Sequence, residues 1–135
     1  MKTELWQAVD EYYMDLVLPE DERFDLIEES IRNAGMPEIA IPPLYGRLME
    51  ILIKIAGVQR VLEICTLGGY STAWLARGLP PTGTLISLEI DPERAMLARK
   101  NLQTFEFSGQ IEIREGDALQ LMAEMIQSGQ VPFDM

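Results

Sequence analysis

"VLEICTLGGYSTAWLA", Val61 to Ala76, decides the fold. It reads as a short buried strand that passes through a glycine-bearing turn into a helix. Turns of this kind hold negatively charged groups, because the free N–H groups and positive dipole end of the helix face the ligand.

The pattern on both sides supports a strand–helix alternation. Downstream, Arg60–Ile64 is the first strand and Ser71–Leu79 the first crossover helix. "PPTG" is a turn, and "TLISLEI", Thr84–Ile90, is a second strand. Pro92 opens a helix running to about Gln103, since proline is tolerated in a first turn. "IEIRE", Ile111–Glu115, alternates as a third strand, a helix follows from Ala118 to Gln127, and Val131–Met135 looks like the opening of a fourth strand. Strands alternating with helices of this length imply right-handed crossovers and a parallel sheet. Upstream the period is helical: Thr3–Leu18, then a helix after the acids at 20–22 that stops at Gly35, then Leu44–Ala56 ending at Gly57. "MPEIAIPP", Met36–Pro43, is an extended loop, because residues before proline avoid the helical region. The class is α/β in a single domain, with residues 1–35 as an N-terminal helical extension and 36–135 as the sheet-bearing part.

Composition narrows the function. The 135 residues are 47% hydrophobic, with 11 Lys and Arg against 22 Asp and Glu, a net of −11. Such a surface repels nucleic acid and anionic lipid. A single cysteine, Cys65, fits a reducing compartment, and the acidic N-terminus lacks a signal peptide's apolar run. A cytoplasmic location is expected. With no histidine, a Ser-His-Asp triad and a histidine metal site are excluded within this chain.

Ligands of open α/β sheets bind beyond the carboxyl ends of the strands. Those ends carry the glycine turn, then Glu89 with Asp91, then Asp117. Gly68 and Gly69 let backbone approach a ligand. Glu89 can accept from a ribose diol. The full G-x-G-x-x-G fingerprint of a diphosphate cofactor is missing, and Glu63 would repel a pyrophosphate but attract an ammonium group. A ligand with an amine, a carboxylate and a ribosyl adenine meets these demands, and S-adenosylmethionine is such a ligand.

"RVLEICTLGGYSTAWLARGLP", then "LISLEID", then "IREGDAL" together resemble the cation-dependent O-methyltransferases of the catechol and caffeoyl-CoA type, from about Met36 to Met135. The resemblance implies a Rossmann-like S-adenosylmethionine-dependent methyltransferase fold, cut after the start of strand four, with N-terminal helices. It implies that Glu63 faces the cofactor's amino group and that Ser71 with the backbone of Ile41 holds its carboxylate. Glu89 would bind the ribose, and Asp117 with Ala118 would border the adenine. Thr66, Gly69 and Tyr70 belong to the motif, with Tyr70 beside the methionyl chain. Cys65 stands where the family has glycine. The resemblance further implies a small hydroxyl acceptor and a divalent cation such as magnesium. The metal ligands and catalytic lysine would lie beyond Met135, so no catalytic or metal residue is expected in this chain.

Plainer roles stand beside these. Glu63 could be a strand-end carboxylate in a salt bridge, Asp117 a helix N-cap, and Ser71 both cap and ligand contact. Cys65 reads as a small buried filler, the methionines as core, and Trp6, Tyr12 and Tyr13 as packing residues. Two further functions compete with the enzyme: a non-catalytic cofactor-binding fragment, and a nicotinamide dehydrogenase, disfavoured by Glu63. A homodimer, or self-association through an uncovered sheet edge, is the expected assembly.

Overall fold

The computed structural model describes residues 2–130 and 132–135. Three helices come first: α1 (Lys2–Val17), α2 (Arg23–Asn33) and α3 (Pro43–Ala56). β1 (Arg60–Ile64), α4 (Tyr70–Gly78), β2 (Thr84–Glu89), α5 (Pro92–Leu102), β3 (Gln110–Glu115) and α6 (Ala118–Gln127) then alternate. The strands form a parallel sheet in the order β1-β2-β3. This is the α/β architecture expected.

Local chemistry sets the boundaries. Gly57 takes φ +65° and returns its N–H to Ile53, a left-handed stop that closes α3. Asp91 caps α5 by accepting from the amides of Glu93 and Arg94, and Pro92 fills the first helical position. Asp117 caps α6 through the amide of Gln120.

Strand periodicity assigns the two faces of the sheet. Val61, Glu63, Leu85, Ser87 and Glu89 share one face, and Leu62, Ile86 and Leu88 the other. On the first face α2, α4 and α5 pack as one core, with Phe24, Ile27, Ile31, Tyr70, Ala73, Trp74 and Ala98 buried together. Phe24 stacks on Trp74 with ring centroids 4.1 Å apart. On the other face Met125 of α6 covers Ile86 and Leu88. Only α6 among the described helices covers that face, and Ile64, Leu119 and Ile126 stay exposed near it.

An ion-pair chain ties the helical layers. Arg77 of α4 bonds Asp21 at 2.8 Å and lies 3.6 Å from Glu50 of α3. Glu50, fully buried, also accepts from Arg47 and Lys54 at 2.8 and 2.5 Å. Burial would raise its carboxyl, yet the Lys54 and Arg47 bonds outweigh that and hold it below the usual glutamate range.

Two expectations change here. Trp6, Tyr12 and Tyr13 are not packing residues: all are more than half exposed, because α1 lays little of itself against the core. The fourth strand does not form as a strand over the described residues, and Val131, its expected first residue, lies outside them. Pro132 has no N–H to donate, so pairing beside β1 begins only at Asp134. The Asp134 amide donates to the Arg60 carbonyl at 2.8 Å, and the Leu62 amide to Met135 at 2.8 Å. The Asp134 carboxylate accepts from the amides of Gln59 and Arg60.

Candidate functional site

The turn between β1 and α4 is built from unusual backbone. Cys65 and Leu67 take φ of +75° and +50°, left-handed values that side chains disfavour, and Gly69 takes +87°. Three reversals in five residues bring the turn back under the end of β2. Glu89 holds it there. Its Oε2 accepts from the amides of Thr66 and Leu67 at 3.0 and 2.9 Å, and its Oε1 from that of Asp91 at 3.1 Å. Glu89 is only 2% exposed.

The glycines divide the work differently from the sequence reading. A side chain on Gly68 would strike Ile31 at 2.4 Å, so this glycine admits α2 rather than a ligand. Asn101 of α5 fastens the same place, donating to the Gly68 carbonyl at 2.9 Å and to Ser30 at 2.8 Å. Gly69 is the N-cap position of α4 and supplies its left-handed entry. Ser71 is therefore not a cap: it lies one residue inside the helix and its hydroxyl turns inward.

That hydroxyl meets Glu63, the centre of the site. The parallel register sets Glu63 of β1 directly beside Ser87 of β2. Ser71 donates to Glu63 Oε1 at 2.5 Å, while Thr72 and Ser87 donate to Oε2 at 2.6 and 2.7 Å. Thr66 and Ser87 share a further short bond of 2.5 Å. Among the described residues no salt bridge reaches Glu63, so the plainer reading of it as an ion-pair carboxylate is not what they show. Burial pushes its carboxyl above the usual range, against the three hydroxyl donors and with help from Glu89.

Over Glu63 opens a cleft of about 220 Å³, lined by Ile41, Glu63, Cys65, Thr66, Tyr70 and Ser71 together with Ile31 and Ile39. The structure thus gathers six of the expected site residues around one opening. Gly69 lies beneath the turn, and Glu89 behind it. Asp117 and Ala118 stand off at the β3–α6 junction, where the Asp117 side chain is engaged as a cap. Tyr70 is buried against Phe24 at 5.5 Å between ring centroids, and burial raises its phenol.

Cys65 departs from expectation. It is exposed rather than a buried filler, because the strand ends at Ile64 and the left-handed step turns its side chain out at the cleft. Partial shielding of the thiol, reinforced by the charge of Glu89, raises its pKa. Sequence reasoning missed Thr72 and Ser87. Ser87 alternates onto the face of Glu63, but only the strand register shows that they touch.

Among the described residues no three His, Cys, Asp or Glu side chains come together as a metal site. The residues present do not fit the divalent cation implied by the resemblance. No described helix is long and apolar enough to cross a membrane.

Comparison with known proteins agrees with this fold. The O-methyltransferase family profile matches residues 14–135. A catechol O-methyltransferase of Niastella koreensis is 38% identical over 135 residues, covering 100% of this chain and 61% of the relative. The crystal structure of an O-methyltransferase from Bacillus cereus in complex with SAH superposes with a TM-score of 0.90 at 36% identity, covering 97% of this chain and 60% of that one. The O-methyltransferase TomG from Streptomyces achromogenes, solved with SAM, gives 0.90 at 35% identity, over 100% and 60%. The chain spans about three-fifths of the length of these relatives.

Proposed function

Because this chain belongs to the O-methyltransferase family, we propose that it is the cofactor-binding part of an S-adenosylmethionine-dependent O-methyltransferase acting on a catechol-like hydroxyl. The observation that carries this reading is Glu63: a buried carboxylate, held among the described residues by neutral hydroxyls alone, facing an open cleft. A ligand ammonium is the partner such a group lacks. Ser71 and the backbone of Ile41 sit at the same opening and suit the carboxylate of the same amino-acid moiety.

The cleft matches that moiety alone, since pockets for whole ligands run from about 300 to 1,000 Å³. The adenosyl portion would extend along the strand ends toward Glu89, Asp117 and Ala118. Glu89 uses three of about four lone-pair sites on the backbone, leaving one for a ribose hydroxyl rather than a pair. When bound, this cofactor supplies an electrophilic methyl group to an acceptor oxygen whose proton leaves. The chain's own residues bind and orient. The divalent cation is proposed for full-length members of the family only, and a cytoplasmic location is proposed from composition.

The test is thermal unfolding with S-adenosylhomocysteine and, separately, NAD. A ligand that binds only the native state adds about 2.7 kcal/mol at a hundredfold excess over Kd. We expect a clear upward shift with the first and none with the second. No shift with S-adenosylhomocysteine, or an equal one with NAD, would sink the assignment.

Self-association is proposed from the face of the sheet that α6 covers only in part. Leu62, Met122, Ile126 and Phe133 line an apolar groove there of about 390 Å³. Light scattering should find species larger than a monomer, and a stable monomer at high concentration would refute this.

A further inference from the structure

Glu63 and its neighbours form a directed chain of protons. Ser87 has one hydroxyl proton, and giving it to Glu63 Oε2 obliges Thr66 to donate to Ser87 across their short contact. Thr72 supplies the second bond to Oε2, which fills that oxygen. Oε1 receives, among the described residues, only the half-buried Ser71, which leaves it the oxygen with room for a further partner.

No cation among the described residues answers this carboxylate. From α4 it meets only Ser71 and Thr72, and from β2 Ser87 and, further along the strand, Glu89. The turn adds Thr66 and the Cys65 thiol, and the loop at the cleft adds only Ile39, Ala40 and Ile41. Arg94 of α5, which acts on the Cys65 thiol, is paired with Asp91. A carboxylate so buried among neutral donors and a like charge holds a proton more readily than one in water.

We propose that Ser87 and Thr66 are positioning residues for cofactor binding: acting through Glu63, they set the pH at which its carboxyl exchanges a proton for the ligand's ammonium group. This rests on the reading of the cleft as an S-adenosyl ligand site. In the acid form of the empty cleft the proton sits on Glu63 Oε1 and the Ser71 hydroxyl turns to accept it, the reverse of the bond Ser71 makes to the ionised carboxylate. When the ammonium arrives, that proton passes to solvent and the carboxylate pairs with the cation, with no other bond made or broken. The bound state holds fewer protons, so affinity rises with pH until free Glu63 is ionised, and is flat above that.

Titration calorimetry of the full chain with S-adenosylhomocysteine, in buffers of different ionisation enthalpy from about pH 5 to pH 8, reads this directly. The expected result is proton release on binding that is greatest at the acid end and declines as pH rises. Affinity should gain up to about tenfold per pH unit within the release window. Thr66→Val and Ser87→Ala remove donors and should move the plateau to higher pH, and Thr66→Ser should restore it. Glu63→Gln should abolish the proton release. 5′-Methylthioadenosine, which lacks the ammonium, should bind without it. Circular dichroism reports folding; if Ser87→Ala does not fold, the Thr66→Val and Thr66→Ser pair decides. Binding by the wild type with no proton exchange, or an unmoved plateau in Thr66→Val, overturns this proposal alone. Failure of the folded wild type to bind S-adenosylhomocysteine overturns the reading of the cleft and this proposal with it.

Discussion

Replacing Glu89 should collapse the turn before it affects any ligand. Its carboxylate accepts from Thr66, Leu67 and Asp91, and the first two bonds are buried. Glu89→Ala leaves both buried amides without an acceptor, at about 1–3 kcal/mol each. The loss is therefore about 2–6 kcal/mol, a large part of the roughly 5–15 kcal/mol that holds a domain of this kind. At about 3 °C per kcal/mol for a chain of this length, Tm should fall by about 6–18 °C. Glu89→Gln keeps one carbonyl oxygen for Thr66 and Leu67 but turns an NH₂ toward the Asp91 amide, so it should lose only about 1–2 kcal/mol. Thermal melts followed by circular dichroism should rank wild type above glutamine above alanine. Variants that both melt within about 2 °C of wild type would refute the claim that Glu89 holds the turn. The glutamine variant is then the one in which a change in ligand affinity can be assigned to the ribose contact.

Other outcomes follow from the same geometry. Cys65→Gly relieves a left-handed residue, worth about 1–2 kcal/mol, against a glycine entropy cost of about 0.5–1 kcal/mol. A small gain in Tm is expected, with none in Cys65→Ala, and S-adenosylhomocysteine should bind the glycine variant at least as tightly. Gly68→Ala would drive a methyl into Ile31 and should be destabilising by about 1–3 kcal/mol in urea titrations; a neutral result would show that α2 yields. Glu50 has a lowered folded pKa, so its stabilisation is present above the unfolded value near pH 4.3 and is lost as pH falls through the folded one. Glu50→Gln should therefore be less stable than wild type at neutral pH, with the gap closing in acid; a gap that persists there would contradict the ion-pair account.

The parts of the fold that depend on local chemistry were legible in the sequence. Gly57 stops α3, Asp91-Pro92 starts α5, and the apolar run at Arg60–Ile64 is β1, all as local rules dictate. Legibility failed where a conformation or a neighbour had to be known. Ser71 has the right chemistry for a cap, but Gly69 takes the cap position because the turn needs its positive φ. Cys65 continues an apolar run in sequence and leaves it in space. The site divides the same way: Glu63 and Ser71 stand out by chemistry at a strand end. The Glu63–Ser87 contact exists only through register, and the engagement of Glu89 with backbone only through the path of the turn.

Asn101 carries a consequence for how the cleft can move. One side-chain amide grips both Ser30 on α2 and the Gly68 carbonyl, and Ile31 is wedged against the same glycine. The wall formed by α2 cannot swing like a door without dragging the turn that it would uncover. The opposite wall has no such latch: among the described residues, the backbone bond of the Ile39–Ile41 segment is the local one from the Ile39 amide to the Pro37 carbonyl. The doorway is therefore the loop alone. Amide hydrogen exchange should be fast from Ile39 to Ile41 and slow at Ile31, and a ligand entering this way would slow the loop without altering the helix.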